Sequence, residues 1–362
     1  MVITVILFLL AAGGVVLIDV IDCMEDRLDE PKNSGRRVAV ALEVEVALKQ
    51  SSAGDSASIC RSQTAPSDST TIGTGSQGAT YYIYGSGWGN IASEATGANF
   101  GAEVTGGPVQ NVTLVQMGEH EFGMVTMGPA YQAWVGESAL APGVEHTDIR
   151  AVFPMYQTAL QVIALESSGI ESIADLDGKT VGIGPAGGTG DLYYPQLFDA
   201  LGLDVETRNA GAADQAGQVQ DGLLDAFAFA SGMPVSAFSQ LEAQADVNIF
   251  SFSPDEIAVF AEQFPELSAS VIPASIYSSL EEDTSAVSLW NVAITHKDMP
   301  DSLVYEVTKA VMENNDRMMQ VHGAAIETLP ENAKHNAFIP WHPGAVRWFE
   351  ENGVEIDDDL KG

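Results

Sequence analysis

The sequence predicts an α/β protein built of two similar lobes that face each other across a ligand cleft. Three observations predict it. From Thr71 onward short β-rich runs alternate with helical patterns, the arrangement expected of largely parallel sheets. A block at 71–88, TIGTGSQGATYYIYGSGW, reads as strand, glycine turn with hydroxyl residues, then a helix opening on a Tyr-Tyr pair, and GIGPAGGTGDLYYPQLF at 182–198 repeats that grammar. Behind each block comes a second related pair, 106–129 and 212–234, so one unit is read twice.

In chain order the strands are TTIG, GAEVTG, FGMVTM, AVFPMYQTALQVIAL, TVGIGP, AFAFAS, NIFSFS and SLWNVAITH, each rich in β-branched or aromatic residues or bounded by glycine and polar turns. The helical stretches are 80–96, 108–118, 128–136, 189–202, 212–222, 234–245, 254–264, 300–321 and 343–352. The organisation this gives is a signal or anchor and linker over 1–70, a first lobe over 71–155, and a second over 156–275. Residues 276–362 return to the first lobe and supply C-terminal helices.

Bulk composition narrows the function. Of 362 residues, 46% are hydrophobic, which is enough to bury a core in each lobe, and the net charge is −35 from 15 Lys and Arg against 50 Asp and Glu. Acid spread along the whole chain argues against nucleic acid and against adsorption to anionic lipid. It fits a protein that stays hydrated in strong brine, so a halophilic source is expected. Cys23 and Cys60 both precede the folded part, and the six histidines show no metal-ligand spacing, so neither cysteine chemistry nor a metal site is expected in the body. The apolar run VITVILFLLAAGGVVLIDV at 2–20 reads as an export signal or an uncleaved anchor, although no Lys or Arg precedes it, and a mis-assigned start codon is the competing explanation. The small polar stretch at 50–71 reads as a linker.

Gly73, Gly75 and Gly78 have the spacing of a dinucleotide fingerprint, with Glu94 or Glu103 available as the ribose acid. That reading would make the protein an oxidoreductase. It leaves the matching second turn unexplained and puts bulky Tyr81 and Tyr82 where a pyrophosphate needs close backbone approach. No nucleophile elbow, catalytic triad, zinc helix or phosphate-loop lysine is present, so no enzyme and no cofactor are expected.

The blocks IGTGSQGATYYIYGSGWGNIAS, VTGGPVQNVTLVQMGEHEFGMVTMGPAYQAWVG, IRAVFPMYQTALQVIA, SIADLDGKTVGIGPAGGTGD, VQDGLLDAFAFASGMP and the closing VYEVTKAVMEN and IPWHPGAVRWFEENG resemble, in order and spacing, the TAXI branch of the solute-binding receptors of tripartite (TRAP) transporters. Pro108 departs from the serine usual in the family, and Gln157 from a proline. The resemblance implies a type II periplasmic-binding-protein-like fold and an extracytoplasmic, monomeric receptor. Such a receptor takes a small organic acid or amino acid, of the glutamate, glutamine or 2-oxoglutarate kind, and delivers it to a TRAP permease membrane subunit.

No Lys or Arg lies inside a glycine-turn motif, so a carboxylate would be held by neutral donors. The helix starts after Gly78 and Gly188 can supply backbone N–H groups, and Thr74, Ser76, Thr80, Thr189 and Ser231 can supply hydroxyls. Gly107 and Gly187 belong to the same turns. Tyr81 and Tyr156 are expected either to wall the cleft or to fill the core. Asn111 caps its helix or meets ligand, which makes a glycan on its Asn-Val-Thr sequon unexpected, and Met127 is a cleft or a core residue.

Overall fold

The computed structural model describes residues 69–362 apart from 262 and 265. The apolar run at 2–20, both cysteines and the linker lie outside the described residues. Among the described residues no helix is long and apolar enough to cross a membrane.

Two copies of one β-α-β-α-β unit form the frame. The first runs β1 (Thr70–Gly73), α1 (Thr80–Thr96), β2 (Phe100–Glu103), α2 (Pro108–Gln116) and β3 (Phe122–Thr126). The second runs β5 (Thr180–Gly182), α4 (Thr189–Ala200), β6 (Glu206–Arg208), α5 (Ala212–Gln220) and β7 (Ala226–Ser231). In each unit the first strand lies between the other two, parallel to both. Between the units come α3 (Met127–Trp134) and the 17-residue β4 (Ile149–Leu165); after them come α6 (Ser236–Glu242), β8 (Val247–Phe250), α7 (Pro254–Phe260), β9 (Ser268–Ile272), β10 (Thr284–His296), α8 (Asp301–Met312), α9 (Asn315–Val321) and α10 (Pro343–Glu351).

The sheet differs from the largely parallel expectation. Its order is β2-β1-β3-β10-β4-β7-β5-β6, with β8 on β4 and β9 on β10, and every pair involving β4 or β10 is antiparallel. These two strands are long enough to serve both lobes. They carry the chain out of one parallel unit and back from the other, so they run against both. β4 is buried along almost its whole length and reads as a mostly apolar run, interrupted by Arg150, Gln157, Thr158 and Gln161 without alternation, which gives no hint of direction. The 300–321 helix is broken into α8 and α9, where Asn314 donates to the Ala310 carbonyl and Asn315 donates to the Ala325 and Thr328 carbonyls. Two short strands, β6 and β9, carry no sequence pattern of their own.

One core packs α1, α2 and α8–α10 against β1–β3 and the first half of β4. Tyr81, Tyr84, Trp88 and Ile91 recur on one face of α1, and Trp88 meets Phe100, Phe122 and Phe153 edge-on at 5.6–6.0 Å. Two further cores cover opposite faces of the second half, one under α4 and α7, the other under α5 and α6.

The repeated unit carries a repeated polar lock. Asn111, fourth residue of α2, is fully buried and donates to the Thr74 and Met124 carbonyls at 2.7 and 2.9 Å while accepting from the Thr105 hydroxyl. Gln215, fourth residue of α5, is equally buried; it accepts from the Gly184 N–H and donates to the Arg208 carbonyl, both at 2.7 Å. Each amide lies directly against the last glycine of the first strand of its unit. A Cβ on Gly73 would stand 2.7 Å from Asn111 Oδ1, and one on Gly182 would stand 2.7 Å from Gln215 Cδ. Both positions therefore require glycine.

Candidate functional site

Where the two units meet, a cavity of about 40 Å³ is lined by Gly75, Ser76, Ala79, Tyr81, Gly106, Gly107, Pro108, Thr158, Pro185, Gly188, Thr189, Phe229, Ala230 and Ser231. None of these side chains is charged. The volume is room for about three waters on the scale on which one needs roughly 10–15 Å³, so the lobes are closed on each other. Three helix starts converge here: α1 behind Ala79, α2 behind Gly107 and α4 behind Gly188. Their macrodipoles bring partial positive charge to the cavity without a cation, and two of their first N–H groups, those of Thr80 and Val109, bond across the cleft to Ser231 Oγ and the Gly187 carbonyl.

Of the residues singled out from sequence, Ser76, Tyr81, Gly107, Gly188, Thr189 and Ser231 line this cavity. Others stand behind it. Thr74 spends its hydroxyl on the Glu103 carbonyl at 2.6 Å, and Gly78, at φ +83°, shapes the turn and packs on Ala213 and Ala237. Thr80 bonds Gly232 and Ser231 across the cleft, and Gly187, at φ +80°, accepts from Val109. Asn111 is neither cap nor lining residue: Gly107 takes the N-cap position, and the amide is consumed by the lock described above. A glycan has no access to it. Met127 opens α3 and Tyr156 is wholly buried, edge-on to Tyr84 at 4.9 Å, so both are core residues here. The other lining residues, Gly75, Ala79, Gly106, Pro108, Thr158, Pro185, Phe229 and Ala230, are not among the ligand residues expected from sequence, although the sequence already marks Gly75 as part of its glycine turn and Pro108 as a departure from the family. Seven of these belong to or adjoin the glycine turns and the AFAFAS strand already singled out, whereas Thr158 sits mid-strand with no local signal.

The hydroxyls predicted to hold an anion instead bond across the cleft. Thr126 and Thr189 are 2.9 Å apart through their oxygens, Ser231 bonds Thr80 at 3.0 Å, and Ser76 Oγ accepts from the Ala212 N–H. The turns themselves touch, with the Val109 N–H donating to the Gly187 carbonyl and the Ala213 N–H to the Gln77 carbonyl. His322, in the C-terminal segment, accepts from the Ala324 N–H at Nδ1, which leaves Nε2 to donate to the Pro234 carbonyl at 3.0 Å. Burial holds the Tyr81 phenol well above its ordinary range, so it acts as a neutral donor; its hydroxyl is given to Asn291 Oδ1 at 2.5 Å.

The acids a dinucleotide site would need are elsewhere. Glu94 pairs with Arg317 on the exposed face of α1, and the Glu103 side chain faces solvent beside His120. The glycine turn at 73–78 packs against the starts of α5 and α6. The oxidoreductase reading has no support in this geometry.

The NMT1-like family matches residues 72–353, which spans both repeated units and the C-terminal helices. The chain belongs to this family. As an NMT1-like protein it is similar in fold to two solved proteins of low sequence identity. The periplasmic binding protein BugD is 16% identical, with 79% of this chain and 98% of that one covered and a TM-score of 0.51. MatC from Rhodopseudomonas palustris, solved with bound malate, is 12% identical, with 74% and 92% covered and a TM-score of 0.50. The type II periplasmic-binding-protein fold expected from sequence is thus the fold of this NMT1-like chain.

Proposed function

We propose that this protein is an extracytoplasmic solute receptor that closes its two lobes on a small carboxylate. The observation that carries the reading is the uncharged cavity between facing glycine turns, into which three helix starts point. A carboxylate entering as the lobes part would take over the hydroxyls of Ser76, Thr189 and Ser231 and the backbone N–H groups that now bond across the cleft. Charge on the ligand strengthens each such bond over its neutral counterpart, so closure is tighter with ligand than without. Acids of the glutamate, glutamine or 2-oxoglutarate kind are the class proposed, and a TRAP membrane permease is the proposed recipient, in line with the TAXI-like blocks. The lobe boundaries expected from sequence, 155/156 and 275/276, fall within β4 and between β9 and β10; strand pairing supports the first and moves the second into β10, whose residues 284–288 still pair with β9.

A thermal-shift panel of organic and amino acids, with NAD(P) alongside, tests this reading. One carboxylate at a hundredfold its dissociation constant is expected to add about 2.7 kcal/mol. Arg150→Ala and Lys179→Ala are expected to leave that gain intact, because Arg150 serves the Thr147 and Ile149 carbonyls and neither side chain lines the cavity. Stabilisation by NAD(P) alone, or loss of binding in Arg150→Ala with the fold intact, would overturn it.

The acid surplus is proposed as an adaptation to brine. After residue 70 there are 40 Asp and Glu against 9 Lys and Arg. Lowering salt from molar to about 0.1 M lengthens screening from about 3 to about 10 Å, so exposed acids begin to repel and the melting temperature is expected to fall steeply. A melting temperature unchanged over that range removes the proposal.

A further inference from the structure

Strand pairing locates the hinge. β10 pairs with β9 from Thr284 to Ser288 and with β3 from Asn291 to Thr295, while β4 takes up β7 only from Ala159 onward. The chain therefore crosses between lobes at 155–158 on β4 and at 289–291 on β10. At this crossing the ladder between the two strands is irregular. Trp290 stands opposite Gln157 and Val292 opposite Pro154, so Asn291 alone faces Met155 and Tyr156. Two residues against one make a bulge, a feature that re-aims side chains beside functional sites.

The Asn291 carboxamide fills the bulge. Buried to 2% exposure, it donates through Nδ2 to the Tyr156 carbonyl at 2.6 Å and to Thr158 Oγ1 at 2.8 Å, and it accepts the Tyr81 hydroxyl at Oδ1. Its partners thus include two cavity-lining side chains from different elements, Tyr81 on α1 and Thr158 on β4, and one backbone carbonyl of the hinge itself. A primary amide has two N–H donors and one acceptor oxygen, and here each is engaged.

We propose that Asn291 is a positioning residue that couples Tyr81 and Thr158 in the cavity wall to the hinge bulge, and through it to lobe closure. Opening alters the crossing of β4 and β10. The amide cannot then keep the Tyr156 carbonyl, Thr158 and Tyr81 together, and a buried polar group that loses its partner is costly. Whatever holds Tyr81 and Thr158 in place therefore favours the closed crossing. The coupling rests on the receptor reading only for the identity of that ligand.

Pulsed EPR on the ligand-free full chain tests the coupling without any carboxylate, so failure of every probe in the panel above would leave the result intact. Spin labels at Asn90→Cys and Asp199→Cys, both exposed, report the distance between the lobes in a Cys23→Ser, Cys60→Ser background. Closed and open distances are expected. Tyr81→Phe and Asn291→Ala should each shift the ratio about tenfold toward open, the weight of one hydrogen bond, and the double variant should go no further than the larger single. Thr158→Val replaces Asn291→Ala if the latter does not fold. Shifts that multiply in the double variant, one unchanged distance in every protein, or a lower melting temperature with unaltered distances would each overturn the proposal.

Discussion

Replacing Gly106 with valine is expected to hold the lobes apart and to abolish stabilisation by ligand while both lobes stay folded. A Cβ at 106 would come within 2.6 Å of the Ala186 carbonyl oxygen on the facing turn, closer than real Cβ atoms approach backbone. Its neighbour on its own side is the flexible tip of Gln110 at 3.1 Å. The facing turn cannot withdraw alone, because the Gly188 N–H is bonded to the Pro185 carbonyl and the Gly187 N–H to Asp191. The clash thus exists only when the turns meet, and relief comes by opening. Gly107→Val would be a poorer test, since φ +113° at that position strains any side chain in either state. On the wild-type chain a ligand at a hundredfold its dissociation constant adds about 2.7 kcal/mol; on Gly106→Val it should add nothing resolvable. Denaturant unfolding with and without ligand measures both. Full ligand stabilisation in the variant would mean that binding does not bring the 106 and 186 turns together.

What the sequence disclosed and what it hid follow from the range of the interactions. The glycine turns at 73–78 and 184–188, the helices behind them and the repeat itself are local patterns, and they stand in the structure within a few residues of where the sequence puts them. Ser76, Gly188, Thr189 and Ser231 were legible because they sit on those turns or at the end of a buried strand. The hinge was not. Tyr81 and Asn291 are 210 positions apart, and nothing near Asn291 in SLWNVAITH distinguishes a bulge amide from an ordinary strand residue. From sequence Thr74 suits a ligand and Asn111 a cap or a ligand, because hydroxyl and amide beside a glycine turn suit an anion equally well. Only the three-dimensional partners, the Glu103, Thr74 and Met124 carbonyls, show their bonds already used. The antiparallel course of β4 and β10 was hidden for a different reason: a strand buried on both faces shows composition but no alternation.

The buried amides themselves should prove the heaviest single contributors to the stability of each lobe outside the apolar cores. Asn111→Ala strips the Thr74 and Met124 carbonyls of their donor in a place water cannot reach, and Thr105 can turn its hydroxyl to only the first of them. Gln215→Ala leaves the Gly184 N–H unpaired and takes from the Arg208 carbonyl one of its two donors, the other being the Ile183 N–H at 2.9 Å. Each variant strands one buried group outright, the Met124 carbonyl or the Gly184 N–H, and at about 1–3 kcal/mol per group a loss of about 2 kcal/mol is expected for either. The two amides serve different lobes and share no partner, so the losses should add in the double variant. Folded Asn111→Ala protein should still take up the carboxylate with affinity within a few-fold of wild type, because the side chain contributes nothing to the cavity wall. Urea titration gives the stability and calorimetry the affinity. An Asn111→Ala protein of wild-type stability that fails to bind would return the residue to the ligand site, and with it the assumption that the two halves of the repeat are locked in the same way.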